Sequence, residues 1–410
     1  MQTNLADFIK STSEGQEADR ILRTCVHCGF CLATCPTYQL LGDELDSPRG
    51  RIYLMKQMLE GAPVTEKTLA HLDRCLTCRA CETTCPSGVQ YGKLVDIGRH
   101  IAEEKIGRSP AARLQRKAMR AVLSESSRVM PLVKLGQLAR PFLPGALRKN
   151  IPAYQSAGDW PAPRHARKML VLAGCVQPSL APNINTAAAR VLDRLGISLV
   201  VASQAGCCGA LSYHLNAQDE ALDFMRRNID AWLPYIDQGV EAIVMTASGC
   251  GVTVRDYGHY LRHDPAYAEK AKRISDLTRD VSEVVLAETD KLAQLVQATA
   301  KTSAGKVAVH TPCTLQHGQK LNGLLEKILA AAGLELTISP DRHLCCGSAG
   351  TYSILQKELS GRLLKNKVAA LETGSPAQIV TANIGCLMHL QSGTGLPVSH
   401  WVELIDRLLA

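Results

Sequence analysis

Sixteen cysteines in a chain of 410 residues set the chemistry. Eight of them fall in two runs of one spacing, C-x2-C-x2-C-x3-C-P: Cys25, Cys28, Cys31, Cys35 and Pro36, then Cys75, Cys78, Cys81, Cys85 and Pro86. Two-residue spacers let three thiolates curl around one iron–sulfur cube, and the proline ends the turn after the fourth. Where two cubes are held, the fourth cysteine of each run serves the other cube. The spacing therefore predicts one 4Fe–4S cluster on Cys25, Cys28, Cys31 and Cys85, and a second on Cys35, Cys75, Cys78 and Cys81. A zinc site needs only four ligands and has no use for a third cysteine at this spacing, twice over. His27 is expected beside the first cluster or at the surface, since four ligands are already supplied.

The other eight cysteines also repeat. Cys175, Cys207-Cys208-Gly209 and Cys250 are matched by Cys313, Cys345-Cys346-Gly347 and Cys386. The first interval is 32 residues in both halves. The halves are offset by 138 residues at three cysteines and by 136 at the last, the mark of an internal duplication. Thiolates converging from loop ends suit an additional iron–sulfur cluster, a bound metal or dithiol redox chemistry; thiols that only pack are the remaining reading. A structural disulfide is not expected inside the cell. His310, His317 and His343 flank the second set and are expected to be hydrogen-bonded side chains rather than ligands.

Helices must position the first eight cysteines. Ser47 reads as an N-cap, Pro48 as a first helical residue and Gly61 as a stop, with Ile52, Met55, Met58 and Leu59 at helical spacing between them. Arg49 and Arg51 either offset the charge of a neighbouring cluster or form a solvated helix start. The later cysteines need another scaffold. Strands over 169–174 and 306–310 lead to Cys175 and Cys313. Helices over 184–195 and 321–332, strands over 197–202 and 334–338, helices over 219–232 and 355–371 and strands over 242–247 and 378–382 follow in turn. That alternation predicts parallel α/β sheets whose carboxyl ends gather the cysteines. The expected divisions are 1–107, 108–167, 168–300 and 301–410.

Hydrophobic residues make up 46% of the chain, which excludes bulk disorder, and aromatics only 4%, which argues against a stacking surface for single-stranded nucleic acid. No run of 18 apolar residues is present, and the N-terminus lacks a secretory apolar core. The chain is expected to stay inside the cell, in the cytoplasm or peripheral on the cytoplasmic face of the inner membrane. Its net charge is +8. Arg108, Arg113, Arg116, Lys117, Arg120, Arg128, Lys134, Arg140, Arg148 and Lys149 face one acid, Glu125, so the excess is local. Segment 108–149 reads as a basic helix running into a proline-rich linker. Such a segment docks on anionic lipid or an acidic protein flank, or is merely solvated. No DNA-reading motif accompanies it, and no nucleic-acid partner is expected.

These motifs together resemble the iron–sulfur subunits of glycolate oxidase over residues 19–407. The likeness rests on A-D-R-I-L-R-T-C-V-H-C-G-F-C, G-D-E-L-D-S-P-R-G-R-I-Y, A-G-C-C-G-A, T-A-S-G-C-G, C-T-L-Q-H and L-C-C-G-S-A-G-T-Y. Similar layouts occur in lactate-utilisation proteins, in the iron–sulfur subunit of anaerobic glycerol-3-phosphate dehydrogenase and in heterodisulfide reductase. The resemblance implies an α-helical ferredoxin domain with two 4Fe–4S clusters, followed by duplicated CCG (cysteine-rich) domains. It implies flavin-containing partner subunits that oxidise glycolate, and in many members D-lactate. This chain would then pass electrons to a respiratory acceptor such as quinone. The sequence has no G-x-G-x-x-G fingerprint, so neither FAD nor NAD is expected on this chain, and no residue is assigned a catalytic role. One departure limits the likeness: the fullest CCG pattern ends in C-x-x-C, whereas Ala247 and Asn383 stand at the first of those positions here. The competing readings are a CCG-type reductase acting itself on a disulfide or quinone, the iron–sulfur subunit of a related lactate or glycerol-3-phosphate dehydrogenase, and a scaffold in which metal only folds the chain.

Overall fold

The computed structural model describes residues 1–144, 151–299 and 305–410. Arg148 and Lys149 of the basic segment, and the expected division at 300 and 301, lie outside the described residues.

Residues 1–107 form helices without strands. The Ser13–Thr24 helix delivers Cys25, and the Glu66–Asp73 helix delivers Cys75. Between the two runs lies the Pro48–Leu59 helix. Ser47 Oγ accepts the Gly50 N–H at 2.9 Å, Pro48 opens the first turn and Gly61 turns left-handed at φ 99°. Ile52, Met55, Met58 and Leu59 pack with Leu94, Val95 and Ile101 of the Tyr91–Ile106 helix in one core.

Each later half is a four-stranded, wholly parallel sheet. β1 (Arg167–Val171), β2 (Ile197–Val201), β3 (Ile243–Met245) and β4 (Thr278–Asp280) lie in the order β2-β1-β3-β4. β5 (Val307–His310), β6 (Leu336–Thr337), β7 (Gln378–Thr381) and β8 (Val398–His400) repeat it as β6-β5-β7-β8. The central strands are covered on both faces, so they read as apolar runs rather than alternating ones. The two sheets share one apolar core, which holds Met169, Ile197 and Val244 as well as Val307, Val380 and Trp401. The Ser248 N–H donates to Ala382 O at 3.2 Å, joining the halves near Cys250 and Cys386.

The middle segment departs most from expectation. A helix over Pro110–Leu123 was legible, but a second follows at Ser126–Ala139 with Pro131 inside it. A proline there removes one backbone donor, and the helix continues. The basic residues are also partly committed within the molecule. Arg108 pairs with Asp73 at 2.7 Å and Glu103 at 2.6 Å, Arg116 with Asp73 at 3.4 Å, and Arg120 with Glu220 at 3.3 Å. This segment therefore ties the helical domain to the first sheet before the chain runs irregularly to β1.

Candidate metal centres

Both N-terminal runs curl by the same device. His27 and Gly29 take φ 60° and 86°, and Thr77 and Arg79, at the same positions relative to the cysteines, take 52° and 58°. Left-handed residues on either side of the second cysteine are costly outside glycine, so their recurrence marks a backbone held to one shape. The result is a pair of neighbouring recesses. One, of about 430 Å³, is lined by Cys25, Cys28, Cys31 and Cys85, and also by Cys81. The other, of about 300 Å³, is lined by Cys35, Cys75, Cys78 and Cys81. Cys81 has Cys78, Cys75 and Cys35 as its electrostatic neighbours, and Cys25 has Cys85 and Cys28. The fourth cysteine of each run thus sits with the other run's first three.

Neither recess is lined by a carboxylate; Arg49 lines the first, and Arg51 and Arg79 line the second. A thiolate donor set with nearby positive charge fits an anionic iron–sulfur cluster. Arg51 is 1% exposed, so the solvated helix start is not what the fold makes of it. It pairs with the wholly buried Asp46 at 3.2 Å and donates to His71 O at 2.7 Å. Asp46 also meets Arg74 at 2.9 Å. Burial raises the thiols of Cys31, Cys78 and Cys81, so without a cation they stay protonated. Two side chains that no motif pointed to hold Cys75, Tyr91 in the walls of both recesses and Arg99 outside them. Tyr91 Oη lies 3.6 Å from Cys75 Sγ, and Arg99 donates to Leu72 O and Cys75 O. His27, at the surface, lines the first recess and faces Tyr53 at 6.2 Å between ring centroids.

The later cysteines form two matching lines of neighbouring sulfurs, Cys175–Cys207–Cys208–Cys250 and Cys313–Cys345–Cys346–Cys386. Cys313 Sγ lies 3.7 Å from Cys345 Sγ. The glycine after each pair is obligatory. Gly209 and Gly347 take φ 89° and 92°, and a Cβ on either would lie 2.8 Å from a helix carbonyl, of Ala221 or Ser360. Their N–H groups reach back to Cys207 Sγ at 3.5 Å and Cys345 Sγ at 3.4 Å. His317 Nδ1 lies 2.8 Å from Thr83 Oγ1 and its Nε2 lies 2.9 Å from His343 O, as expected of a hydrogen-bonded histidine.

The helical domain meets the second repeat through sulfur-bearing apolar surface. Leu76, Cys345, Tyr352, Leu359 and Leu363 form one cluster, with Cys78 and Cys313 packed against it. It meets the first repeat through charge, Arg79 with Asp256 at 2.9 Å and Arg262 with Glu17 at 2.7 Å.

Comparison with known proteins agrees with this division. Residues 21–89 match the model of a 4Fe-4S dicluster domain, and residues 169–255 and 307–391 each match the CCG cysteine-rich domain. The chain is 53% identical over 410 residues to the glycolate oxidase iron-sulfur subunit of Escherichia coli, covering 100% of this chain and 99% of that one. It is 30% identical over 415 residues to the probable glycolate oxidase iron-sulfur subunit of Bacillus subtilis, covering 94% and 91%. Lactate utilization protein A of Bacillus licheniformis is 27% identical over 248 residues, 58% of this chain and 99% of that one.

Proposed function

This chain belongs to the family of glycolate oxidase iron–sulfur subunits, and from that premise we propose that it accepts electrons from flavin-containing subunits that oxidise glycolate and passes them to a respiratory acceptor such as quinone. Cys25, Cys28, Cys31 and Cys85 hold one cluster, and Cys35, Cys75, Cys78 and Cys81 the other. The observation that carries this is the gathering of each set around one recess, with arginine and no carboxylate in either wall. Bound there, the clusters supply reversible one-electron carriage.

The protein's own residues do the rest. Arg51, fixed by Asp46, sets positive charge beside the second recess without exposing it to water. Leu76, Tyr352, Leu359 and Leu363 keep water from the passage between Cys78 and Cys345. That dry contact makes the second repeat the natural continuation of the electron path. Replacing Cys78 by Ser is expected to remove one cluster's absorption and paramagnetic signal and to lower glycolate-to-quinone turnover at least about 100-fold. Full activity with an unchanged cluster spectrum would sink the ligand assignment.

The same reading sets the chain against the cytoplasmic face of the inner membrane. No helix among the described residues is long and apolar enough to cross it. The Ser126–Ala139 helix instead leaves Leu132, Leu135 and Leu138 exposed, with Phe142 89% exposed just beyond. Lys134 lies among them, and Arg113 and Lys117 are exposed on the neighbouring helix. None of the three basic residues has an ion-pair partner among the described residues. Apolar side chains rimmed by unpaired cations suit an anionic lipid surface. At ~1 kcal/mol per basic residue, changing these three to Gln should weaken binding to phosphatidylglycerol vesicles about 100-fold. Unaltered vesicle binding with failed complex assembly would assign the face to the flavoprotein.

A further inference from the structure

The two N-terminal recesses keep their positive charge in different surroundings, and the difference bears on which way an electron runs. At the first, Arg49 is 31% exposed and pairs with Glu44, itself 44% exposed, so the two charges cancel in contact with water. At the second, Arg51 and Arg74 share the single acid Asp46, and Arg79 has Asp256 and Glu82 as its neighbours. Arg99 brings a fourth guanidinium against those three acids. It is 8% exposed and forms no ion pair among the described residues. Its Nε and Nη2 reach Leu72 O at 3.1 and 2.9 Å, Nη2 also reaches Cys75 O, and Nη1 lies 2.9 Å from Thr77 Oγ1. Asp96 feels its charge but is engaged by His214 at 3.6 Å. A buried cation held by neutral acceptors alone is costly, and an anion at Cys75 offsets that cost. Tyr91, 3% exposed, adds a hydroxyl that donates to Cys75 Sγ at 3.6 Å. On the first run, the matching carbonyls Leu22 O and Cys25 O accept from Met1 N at 3.3 and 2.7 Å, beside solvent, and the sulfur of Cys25 has only a backbone donor, from His27.

We infer that Arg99 and Tyr91 hold the cluster on Cys35, Cys75, Cys78 and Cys81 at the higher reduction potential of the two, so that electrons enter at the first recess and run to the second. Reduction adds one negative charge. Nearby cations and hydrogen bonds to sulfur favour that added charge, whereas burial opposes it. The surplus cation at the second recess sits in the dry interior, where charge acts several-fold more strongly than through water, and the pair at the first recess is screened. The second recess therefore favours the added electron. The transfer balances simply: one cluster loses an electron and the other gains it, no bond breaks, and Arg99 cannot release its proton. The electron itself comes from the flavin-containing subunits.

Exposure agrees with this direction. Cys28 is the one exposed cysteine among the described residues, and it lines the first recess. Val26 and Phe30 beside it are 67% and 62% exposed, which leaves the entrance open to a donor chain. Cys78, in the second recess, faces Cys345 inside the protein. Arg99 is thus a positioning residue that acts through the Cys75–Thr77 loop, and Tyr91 acts on the sulfur directly.

The inference rests on the two-cluster reading, and a redox titration of the anaerobically purified full chain, followed by paramagnetic resonance, separates the two. The wild type should show two one-electron waves. Tyr91→Phe should lower the higher wave alone, with the reduced-to-oxidised ratio at the wild-type midpoint falling about threefold to tenfold, tenfold being ~59 mV. Arg99→Gln should lower the same wave by at least about tenfold, and Arg99→Lys, which keeps the charge, should recover most of that shift. Absence of any cluster signal would sink the two-cluster reading itself. Two clusters titrating in a single wave, a higher wave that Tyr91→Phe leaves in place, or a lower wave that moves instead would overturn the order of flow and leave that reading intact. Equal shifts in Arg99→Lys and Arg99→Gln would remove the charge from the argument. Should Arg99→Gln lose its second cluster, Tyr91→Phe, which deletes one oxygen, decides alone.

Discussion

The two cysteine-rich repeats agree in backbone and differ in what surrounds their sulfurs. Both place a left-handed glycine after the cysteine pair, under a helix carbonyl that leaves no room for a side chain, and both turn that glycine's N–H onto the first sulfur of the pair. The neighbours then diverge. Cys207 has Cys175 and Cys208 as sulfur neighbours, accepts the Gly209 N–H and lies near Ser124, surroundings that lower its pKa and favour the thiolate. At its counterpart Cys345, Cys313 favours the thiolate as Cys175 does at Cys207, but Cys346 and burial outweigh it and Cys78 adds to the rise. Ser124 comes from the segment before the first sheet and Cys78 from the helical domain, so neither belongs to the repeat it acts on. Duplication has copied the frame, and the rest of the chain has given each copy its own electrostatics.

The largest expected effect separates the copies by role. Cys345→Ser alters the sulfur that shares a dry cluster with Cys78, and turnover from glycolate to quinone should fall at least about 100-fold. Cys207→Ser alters a sulfur beside Ser124 and should cost less than about tenfold. A loss of ~3 kcal/mol in the first against ~1 kcal/mol in the second is readily resolved by steady-state rates. Equal losses would mean that both repeats lie on the path and that the apolar contact at Cys78 is not what selects between them.

The fourth strands carry a second contrast, in pH dependence. Each ends in a buried residue that caps the next helix within a capping box, Asp280 before Val281–Ala287 and His400 before Trp401–Leu409. Burial raises Asp280 from 3.8 to about 6, with Glu283 adding to the rise. Its contribution is therefore present below pH 3.8 and is lost as pH rises through 6. Burial lowers His400 from 6.5 to about 4. Its contribution is present above pH 6.5 and is lost as pH falls towards 4. Each is on the order of 2–3 kcal/mol over its full range, with opposite slopes. Asp280→Asn, which imitates the protonated cap, should stabilise the protein at pH 8 by up to that amount and by about half as much at pH 5. His400→Asn should flatten the loss of stability between pH 8 and 5.5, worth about 1 kcal/mol in that window. Denaturant midpoints across pH 5.5–8 decide both. Parallel slopes in the two variants would remove the contrast.

Much of this architecture could be read from the chain because its signals are short-ranged. Thiolate spacing within ten residues encodes the cluster runs, and Ser47, Pro48 and Gly61 encode their own helix. What escaped depends on distance or on exceptions to local rules. β4 and β8 are three residues each, and they end in a buried acid and a buried histidine that look like solvent-facing residues in sequence. The basic segment reads as one helix, whereas the fold divides it into Pro110–Leu123 and Ser126–Ala139. Ten basic residues in one segment suggested a free positive face, yet Arg108, Arg116 and Arg120 meet Asp73, Glu103 and Glu220, acids that a count along the segment cannot reveal. Arg99 gave no signal along the chain, because the carbonyls it serves, Leu72 O and Cys75 O, meet it only once the Glu66–Asp73 and Tyr91–Ile106 helices are packed.

The smallest effect tests the contact that joins the second repeat to the helical domain. Tyr352 Oη donates to Arg74 O at 3.1 Å, immediately before Cys75, while the first repeat holds the same domain through Arg79 and Asp256. Tyr352→Phe keeps the ring in its cluster and removes one hydrogen bond, a loss of about 1 kcal/mol. If that bond pins the loop bearing Cys75, amide exchange over residues 74–78 should rise about fivefold while exchange around Arg79 and Asp256 stays unchanged. An equal rise at both places would show that the helical domain and the two repeats open as one unit. No rise at either would leave Leu76, Leu359 and Leu363 as the whole of the attachment, and the passage from Cys78 to Cys345 would then rest on apolar packing alone.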